Sequence, residues 1–233
     1  MSAGHPQEHH RQISGGWIRA AIFGVSDGLV TNISFLLGFA GANSSHNVVR
    51  LAGLATLVAG AFSMGTGEYL SMRAQKELFE YEIGVERQAL ADRPEAERLE
   101  LRDLFVARGI DPALAERLSV DLMRDPDMAL STHAREELGV DPTATGKPIA
   151  AAFSSFGSFA VGAFIPLIPW LWSANGNPIL WSVAFAGVGS ILVGGAIGNM
   201  TRRGMVRWAL RQLVITVIAA GVTYGVGRLV GTR

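Results

Sequence analysis

Five long apolar stretches set the hydrophobic pattern of this chain. They cover Trp17–Ala42, Val48–Met72, Ile149–Trp172, Ile179–Thr201 and Met205–Val230. A helix rises about 1.5 Å per residue, so each stretch is long enough to cross a hydrocarbon core about 30 Å thick. The first stretch is too long for a signal-peptide core and lacks a clear cleavage site, which favours a retained span. The pattern predicts an all-α membrane protein with five transmembrane helices.

One polar block separates the second apolar stretch from the third. Residues 73–148 hold 17 of the 20 acidic residues and 11 of the 20 Lys and Arg, a net charge of −6. The second helix has no stop signal at Met72 and is expected to continue to about Ala91. Three further helices are predicted by starts at Asp92-Arg93-Pro94-Glu95, Asp111-Pro112 and Asp125-Pro126, with stops at Gly109 and Gly139. We therefore expect an acidic three-helix domain inserted between the second and third spans.

The distribution of arginines indicates the topology. The link at residues 201–207 carries three arginines, whereas the links at 43–47 and 173–178 carry none. Positive residues favour the cytoplasmic side of a membrane. We predict a flexible cytoplasmic tail at 1–16, spans one and two at 17–72, a cytoplasmic metal-binding domain at 73–148, and spans three to five at 149–233.

Proline and glycine positions add expectations about packing. Pro166 and Pro169 should kink or end the third span near its outer end. Glycines in the spans allow close helix contact. The glycines expected to do so are Gly157, Gly162, Gly187, Gly194 and Gly198.

Composition limits the possible chemistry. The chain has no Cys, which excludes disulfides and thiolate sites and leaves carboxylate, His and Met as metal ligands. The zincin His-Glu-x-x-His motif, the Gly-x-Ser-x-Gly elbow and a phosphate-binding Gly-rich loop are all absent from the sequence. We therefore expect neither an enzyme nor an ATP-driven pump, with no prosthetic group and no nucleic-acid partner.

Two carboxylates lie within apolar stretches. Asp27 has no basic residue nearby in its span, and an Asp at the centre of a membrane helix costs roughly 2.5 to 3.5 kcal/mol. Met64, Glu68 and Met72 follow one another at four-residue steps, so they share a helix face. These residues suggest a path for a metal ion or a proton. The alternatives are a protonated structural Asp27 and methionines that only fill the core.

Spacing also suggests ligands in the acidic block. Three pairs of potential ligands stand three or four residues apart, Glu82 with Glu86, Glu97 with Glu100, and His133 with Glu137. If the break at Pro94 folds the first two helices together, their carboxylates would form a pocket suited to Fe²⁺, Mn²⁺ or Zn²⁺. The alternative is that these are solvated helix faces without a metal.

Several motifs together resemble the vacuolar iron transporter family. They are SDG at 26–28, GAFSM at 60–64, GEYLS at 67–71, the acidic run 75–100 and EELG at 136–139. The resemblance covers nearly the whole chain from Trp17. It implies homodimers of five-helix subunits with a cytoplasmic metal-binding domain, which export ferrous iron, and often manganese, in exchange for protons.

The resemblance also implies roles by position. Asp27 and Met64 would line the translocation path with Glu68 close by, and the cytoplasmic carboxylate ligands would be Glu86, Glu97, Glu100 and Glu137. Two positions depart from the family pattern. Ala89 replaces an expected glutamate and His133 an expected methionine. Glu82 is the candidate substitute for the missing glutamate, and His133 for the missing methionine. These departures bear on which metal the protein selects.

Three functional hypotheses follow. The first is a proton-coupled exporter of a divalent transition metal, in the plasma membrane of a bacterium or a vacuolar-type membrane of a eukaryote. The second is a membrane-anchored metal sensor or buffer without transport. The third, a di-iron oxidase, is disfavoured because the two Glu-x-x-His motifs of ferritin-like bundles are missing.

Overall fold

A computed structural model describes residues 16–137, 139, 146–172 and 176–231, with side chains from residue 20 onward. Within these ranges the chain forms eight α-helices and no strand. They are α1 Gly16–Gly41, α2 His46–Asp92, α3 Pro94–Ala107, α4 Pro112–Leu122, α5 Pro126–Glu136, α6 Pro148–Trp172, α7 Pro178–Met200 and α8 Met205–Gly231. The all-α prediction is confirmed. The flexible tail predicted for residues 1–16 lies outside the described residues, except for Gly16.

Five of the described helices are long and apolar enough to cross a membrane. They are α1, α2, α6, α7 and α8, which match the five predicted spans. The 47-residue α2 runs without a break to Asp92, so the predicted continuation of this helix to about Ala91 is confirmed. The chain divides into two compact units, Met1–Tyr69 with Pro148–Arg233, and Leu70–Lys147. We call them the span unit and the insert unit.

α1 is the central helix of the span unit, where it contacts α6, α7 and α8. Its contact with α6 brings the two backbones together. A Cβ atom at Gly28 would overlap the carbonyl oxygen of Phe159, and one at Gly162 would overlap that of Val25. Small residues of this kind let membrane helices pack closely. Residues with larger side chains at these positions would force α1 and α6 apart.

The first half of α2 packs on α1 and α6 through apolar side chains. Val49 lies in a buried cluster with Leu36 of α1 and Leu167 of α6. Ala61 lies in a second buried cluster with Phe159. Many other apolar side chains of α2, such as Leu51 and Phe62, are exposed. In a membrane protein such a surface faces lipid or another apolar protein surface.

The structure refines two packing expectations. α6 continues through Pro166 and Pro169 and ends at Trp172, three residues after Pro169, so neither proline ends the helix at its own position. Both are buried, and proline is tolerated in membrane helices where neighbouring helices pack around it. At Gly157, no atom of another helix in the described part of the chain lies within 4 Å of the position that an added methyl group would occupy. This glycine therefore makes no close helix contact within the described part of the chain, unlike Gly162, Gly194 and Gly198.

The insert unit has its own small core. Leu101 and Phe105 of α3 pack against Ala115 of α4, and Arg98 of α3 reaches Glu116 of α4 at 2.7 Å. α4 and α5 begin as predicted, because the side chains of Asp111 and Asp125 accept hydrogen bonds from the first free backbone N–H groups. A further ion pair joins Arg108, just after α3, to Glu136 at the end of α5.

Candidate functional site

Three predicted ligands meet inside the insert unit. Nδ1 of His133 lies 2.8 Å from Oε1 of Glu137 and 3.1 Å from Oε1 of Glu86. One ligand atom from each of the three residues lies within 4.8 Å of the others. We call these three residues the ligand cluster.

The ligand cluster is assembled by α2 and the end of α5. His133 and Glu137 are one helical turn apart, which places both side chains on one face. Glu137 is the C-cap residue of α5, and Glu86 projects from α2 towards His133. Because His133 of α5 comes within 3.1 Å of Glu86 of α2, the cluster combines an imidazole with carboxylates from two parts of the chain.

The ligand cluster is largely buried, so its negative charge is costly unless a cation balances it. The His133 side chain is fully buried, while those of Glu86 and Glu137 are 12% and 22% exposed. Within the described structure, Oε1 of Glu86 and Nε2 of His133 are buried without a hydrogen-bond partner. The 3.1 Å approach of Glu86 to His133 is therefore an electrostatic contact without hydrogen-bond geometry. Buried polar atoms left without partners are costly.

The surroundings raise the pKa of Glu86 above its ordinary value of 4.5. Burial is the largest cause, followed by the negative charge of Glu137; His133 acts in the opposite direction. Glu97 and Glu100 raise the pKa further. The carboxylates of α2, α3 and α5 therefore repel one another at this point, and a bound cation would relieve that repulsion.

The other predicted ligands differ in their placement. Glu97 is 5% exposed and its carboxylate lies 3.7 Å from Arg93, whereas Glu100 is exposed. Both act on Glu86 through their charge. Glu82 lies one turn before Glu86 on α2. The ligand cluster found among the described side chains does not include it.

The donor set suits a divalent transition metal. Two carboxylate oxygens and one imidazole nitrogen are acceptable ligands for Fe²⁺, Mn²⁺ and Zn²⁺. A metal can bind at Nδ1 of His133 only when this atom carries no proton, since only an unprotonated ring nitrogen is a ligand. Metal binding at the cluster would therefore select the ring form whose Nδ1 is unprotonated.

Asp27 lies half-buried in α1 of the span unit. Its Oδ1 accepts a hydrogen bond of 3.2 Å from the hydroxyl of Thr31, one turn later. Among the described side chains no basic group pairs with it. A single hydroxyl donor leaves most of the capacity of this carboxylate unused, so Asp27 can receive a cation or a proton.

Buried polar side chains surround the helix that carries Asp27. Nε2 of Gln212 in α8 donates to Oγ of Ser26 at 2.7 Å, and Nδ2 of Asn32 donates to the carbonyl of Ala163 at 2.5 Å. Thr216, one turn after Gln212, shares a hydrogen bond of 2.8 Å with Ser190. Sequence reasoning missed Gln212 and Thr216. Their four-residue spacing inside an apolar stretch is the signal that could have identified them.

Met64 and Glu68 lie on the part of α2 that belongs to the span unit. Both are half-buried, and Met64 packs against the cluster of Ala61, Phe159 and Ala163. Met64 thus has a packing role, whatever else it does.

Comparison with known proteins identifies the family. The chain matches the VIT family over residues 18–228. It is 36% identical to the Vacuolar iron transporter of Acanthamoeba castellanii, over 95% of this chain and 82% of that protein. It is 30% identical to Vacuolar iron transporter 1 of Oryza sativa subsp. japonica, over 100% and 94% of the two chains. Vacuolar iron transporter 1 of Arabidopsis thaliana is 29% identical, over 96% and 91%. The resemblance found in the motifs is confirmed: this chain is an integral membrane protein of the VIT family.

Proposed function

We propose that this protein exports a divalent transition metal, with Fe²⁺ as the leading substrate, from the cytosol in exchange for protons. The observation that carries the proposal is the ligand cluster, where Glu86, His133 and Glu137 converge within 4.8 Å in a negatively charged environment. Relatives named vacuolar iron transporters over nearly the full length support it.

Capture of the metal is assigned to the insert unit, which we place in the cytosol. The ligand cluster binds the ion, and Glu97 and Glu100 increase the local negative charge that attracts it. His133 stands where the family resemblance predicts a methionine. Imidazole is a harder ligand than a thioether, so the cluster should accept Mn²⁺ and Zn²⁺ as well as Fe²⁺.

Passage through the membrane is assigned to Asp27, Met64 and Glu68. α2 carries two of these path residues, Met64 and Glu68, in its first half. Its second half carries Glu86 of the ligand cluster. The thioether of Met64 would favour Fe²⁺ over Mg²⁺, which keeps its water shell and prefers oxygen. Asp27 would alternate between metal and proton, and this exchange couples the two fluxes.

The functional unit is proposed to be a homodimer. This follows the family resemblance, and the exposed apolar side chains of α2, such as Leu51 and Phe62, provide a surface that lipid or a second copy would cover.

Reconstituted liposomes with a pH gradient test the proposal. The full-length protein should move Fe²⁺ under reducing conditions well above the rate of protein-free liposomes. Asp27→Ala should abolish this flux, whereas Asp103→Ala should not, because Asp103 is an exposed acid that pairs with Arg102 outside the cluster. Wild-type flux by Asp27→Ala would contradict the proposed path.

The runner-up is a metal sensor or buffer anchored in the membrane. The ligand cluster is compatible with it, but a half-buried carboxylate at Asp27 has no use in an anchor. Metal binding by the wild type without flux above protein-free liposomes would establish this alternative.

A further inference from the structure

Three arginines and a tryptophan line a cleft where α7 ends and α8 begins. Arg203 lies in the turn after α7, and Arg207, Trp208 and Arg211 lie in the first two turns of α8. The cleft has a volume of about 350 Å³, comparable to pockets of roughly 300 to 1,000 Å³ that hold small ligands. The proposed metal path uses none of these residues.

The side chains of the cleft are arranged around the tryptophan. The guanidinium carbon of Arg211 lies 5.2 Å from the centre of the Trp208 ring, within the distance of a cation–π contact. Arg207 lies one turn before Arg211, so it projects on the same side of α8. Trp208 is half-buried and provides a fixed wall for the cleft.

Negative charge is missing from this part of the chain. Residues 149–233 contain six arginines and no Asp or Glu. Among the described side chains, none of the three cleft arginines forms an ion pair with a carboxylate. Arg207 also lies in the first turn of α8, where the helix dipole favours anions and disfavours cations. The cleft is therefore strongly positive, and the segment that forms it supplies no counter-charge.

We propose that this cleft binds the phosphate of an anionic membrane lipid headgroup. Guanidinium groups bind phosphate with paired hydrogen bonds, and tryptophan is enriched where membrane helices reach the headgroup region. The cleft lies at the ends of two candidate spans, α7 and α8, and the ends of membrane helices are where lipid phosphates are expected. A negatively charged headgroup adds attraction that a zwitterionic headgroup lacks.

Native mass spectrometry of the full-length protein in detergent tests this assignment. The probe is phosphatidylglycerol, compared with phosphatidylcholine of the same acyl chains. The wild type should retain phosphatidylglycerol preferentially, and Arg207→Gln and Arg211→Gln should each weaken this binding about fivefold. Arg202→Gln is the matched control, because Arg202 belongs to the same turn but does not line the cleft. Equal retention by all variants, or an equal loss in the control, would overturn the proposal.

A thermal-unfolding measurement separates lipid from soluble phosphate. Phosphatidylglycerol should raise the unfolding temperature of the wild type and of Arg202→Gln, but raise it less for Arg207→Gln. Inorganic phosphate should give no comparable shift. If inorganic phosphate stabilises the wild type as much as the lipid does, and this effect is lost in Arg207→Gln, the ligand is a soluble anion and the lipid assignment is wrong. The same unfolding curves show that each variant is folded.

Discussion

Gln212 of α8 donates a hydrogen bond of 2.7 Å to the hydroxyl of Ser26 in α1. Ser26 immediately precedes Asp27, so this bond ties α8 to the part of α1 that carries the half-buried carboxylate. It joins residues 186 positions apart, which no local sequence pattern could have indicated.

The first prediction concerns the energy of this bond. A double-mutant cycle of Ser26→Ala and Gln212→Leu should give a coupling free energy of about 0.6 kcal/mol, the average for hydrogen bonds between membrane helices. The single change Ser26→Ala should destabilise the protein because it leaves the buried amide of Gln212 without its acceptor. Denaturant titration of the folded protein in mixed micelles measures both values. Strictly additive single changes would show that the bond has no energetic role.

The second prediction separates Glu86 from Glu82. Glu86→Gln removes a charged ligand from the ligand cluster and should weaken Mn²⁺ binding by at least about tenfold, the lower limit for losing even a supporting residue of a metal site. Glu82→Gln removes the same charge one turn earlier on α2 and should weaken binding much less. Isothermal titration of the full-length protein gives both dissociation constants. Similar losses in the two variants would place Glu82 among the ligands.

The third prediction concerns pH. Because burial and neighbouring carboxylates raise the pKa of Glu86 above 4.5, the folded protein binds this proton more tightly than the unfolded chain does. The stability gained from that proton is fully present below about pH 4.5 and is lost as the pH rises through the folded pKa.

The check is to measure the unfolding temperature of the chelator-treated protein between about pH 4 and pH 8. A carboxyl group with a raised pKa loses its proton roughly within this range. The wild type should lose more stability with rising pH than Glu86→Gln, whose amide has no proton to release. Parallel profiles for the two proteins would show that the Glu86 proton does not affect folding.

The fourth prediction concerns the contact between α1 and α6. Gly28→Ala should destabilise the protein by about 1 to 3 kcal/mol, the usual cost of overpacking, since its methyl group would overlap the backbone of Phe159. Gly157→Ala is the control, because among the described residues no other helix comes within 4 Å of its added methyl group. It should leave the unfolding free energy unchanged or raise it slightly, as helix propensity favours alanine. A neutral Gly28→Ala would contradict the close packing.

Much of the fold was predictable because its signals are local. Apolar stretches of sufficient length indicate spans, and Asp-Pro pairs indicate helix starts, as α4 and α5 confirm. The continuation of α2 to Asp92 followed from the lack of a stop signal. The prolines of α6 predicted a kink or an end near the outer end of this span, and the helix ends three residues after Pro169.

The candidate site was predictable only in part. His133 and Glu137 share a helix turn, so their proximity follows from spacing. Their meeting with Glu86 depends on the tertiary arrangement that brings His133 within 3.1 Å of this residue, which spacing cannot determine. For the same reason the sequence could not separate Glu82 from Glu86.

Simultaneous recording of metal and proton flux in proteoliposomes tests the central claim most directly. The account predicts that Fe²⁺ movement through the wild-type protein drives protons in the opposite direction, and that Asp27→Asn loses both fluxes while its ligand cluster still binds metal. Fe²⁺ movement without any proton movement, or metal binding without movement of either ion, would contradict it.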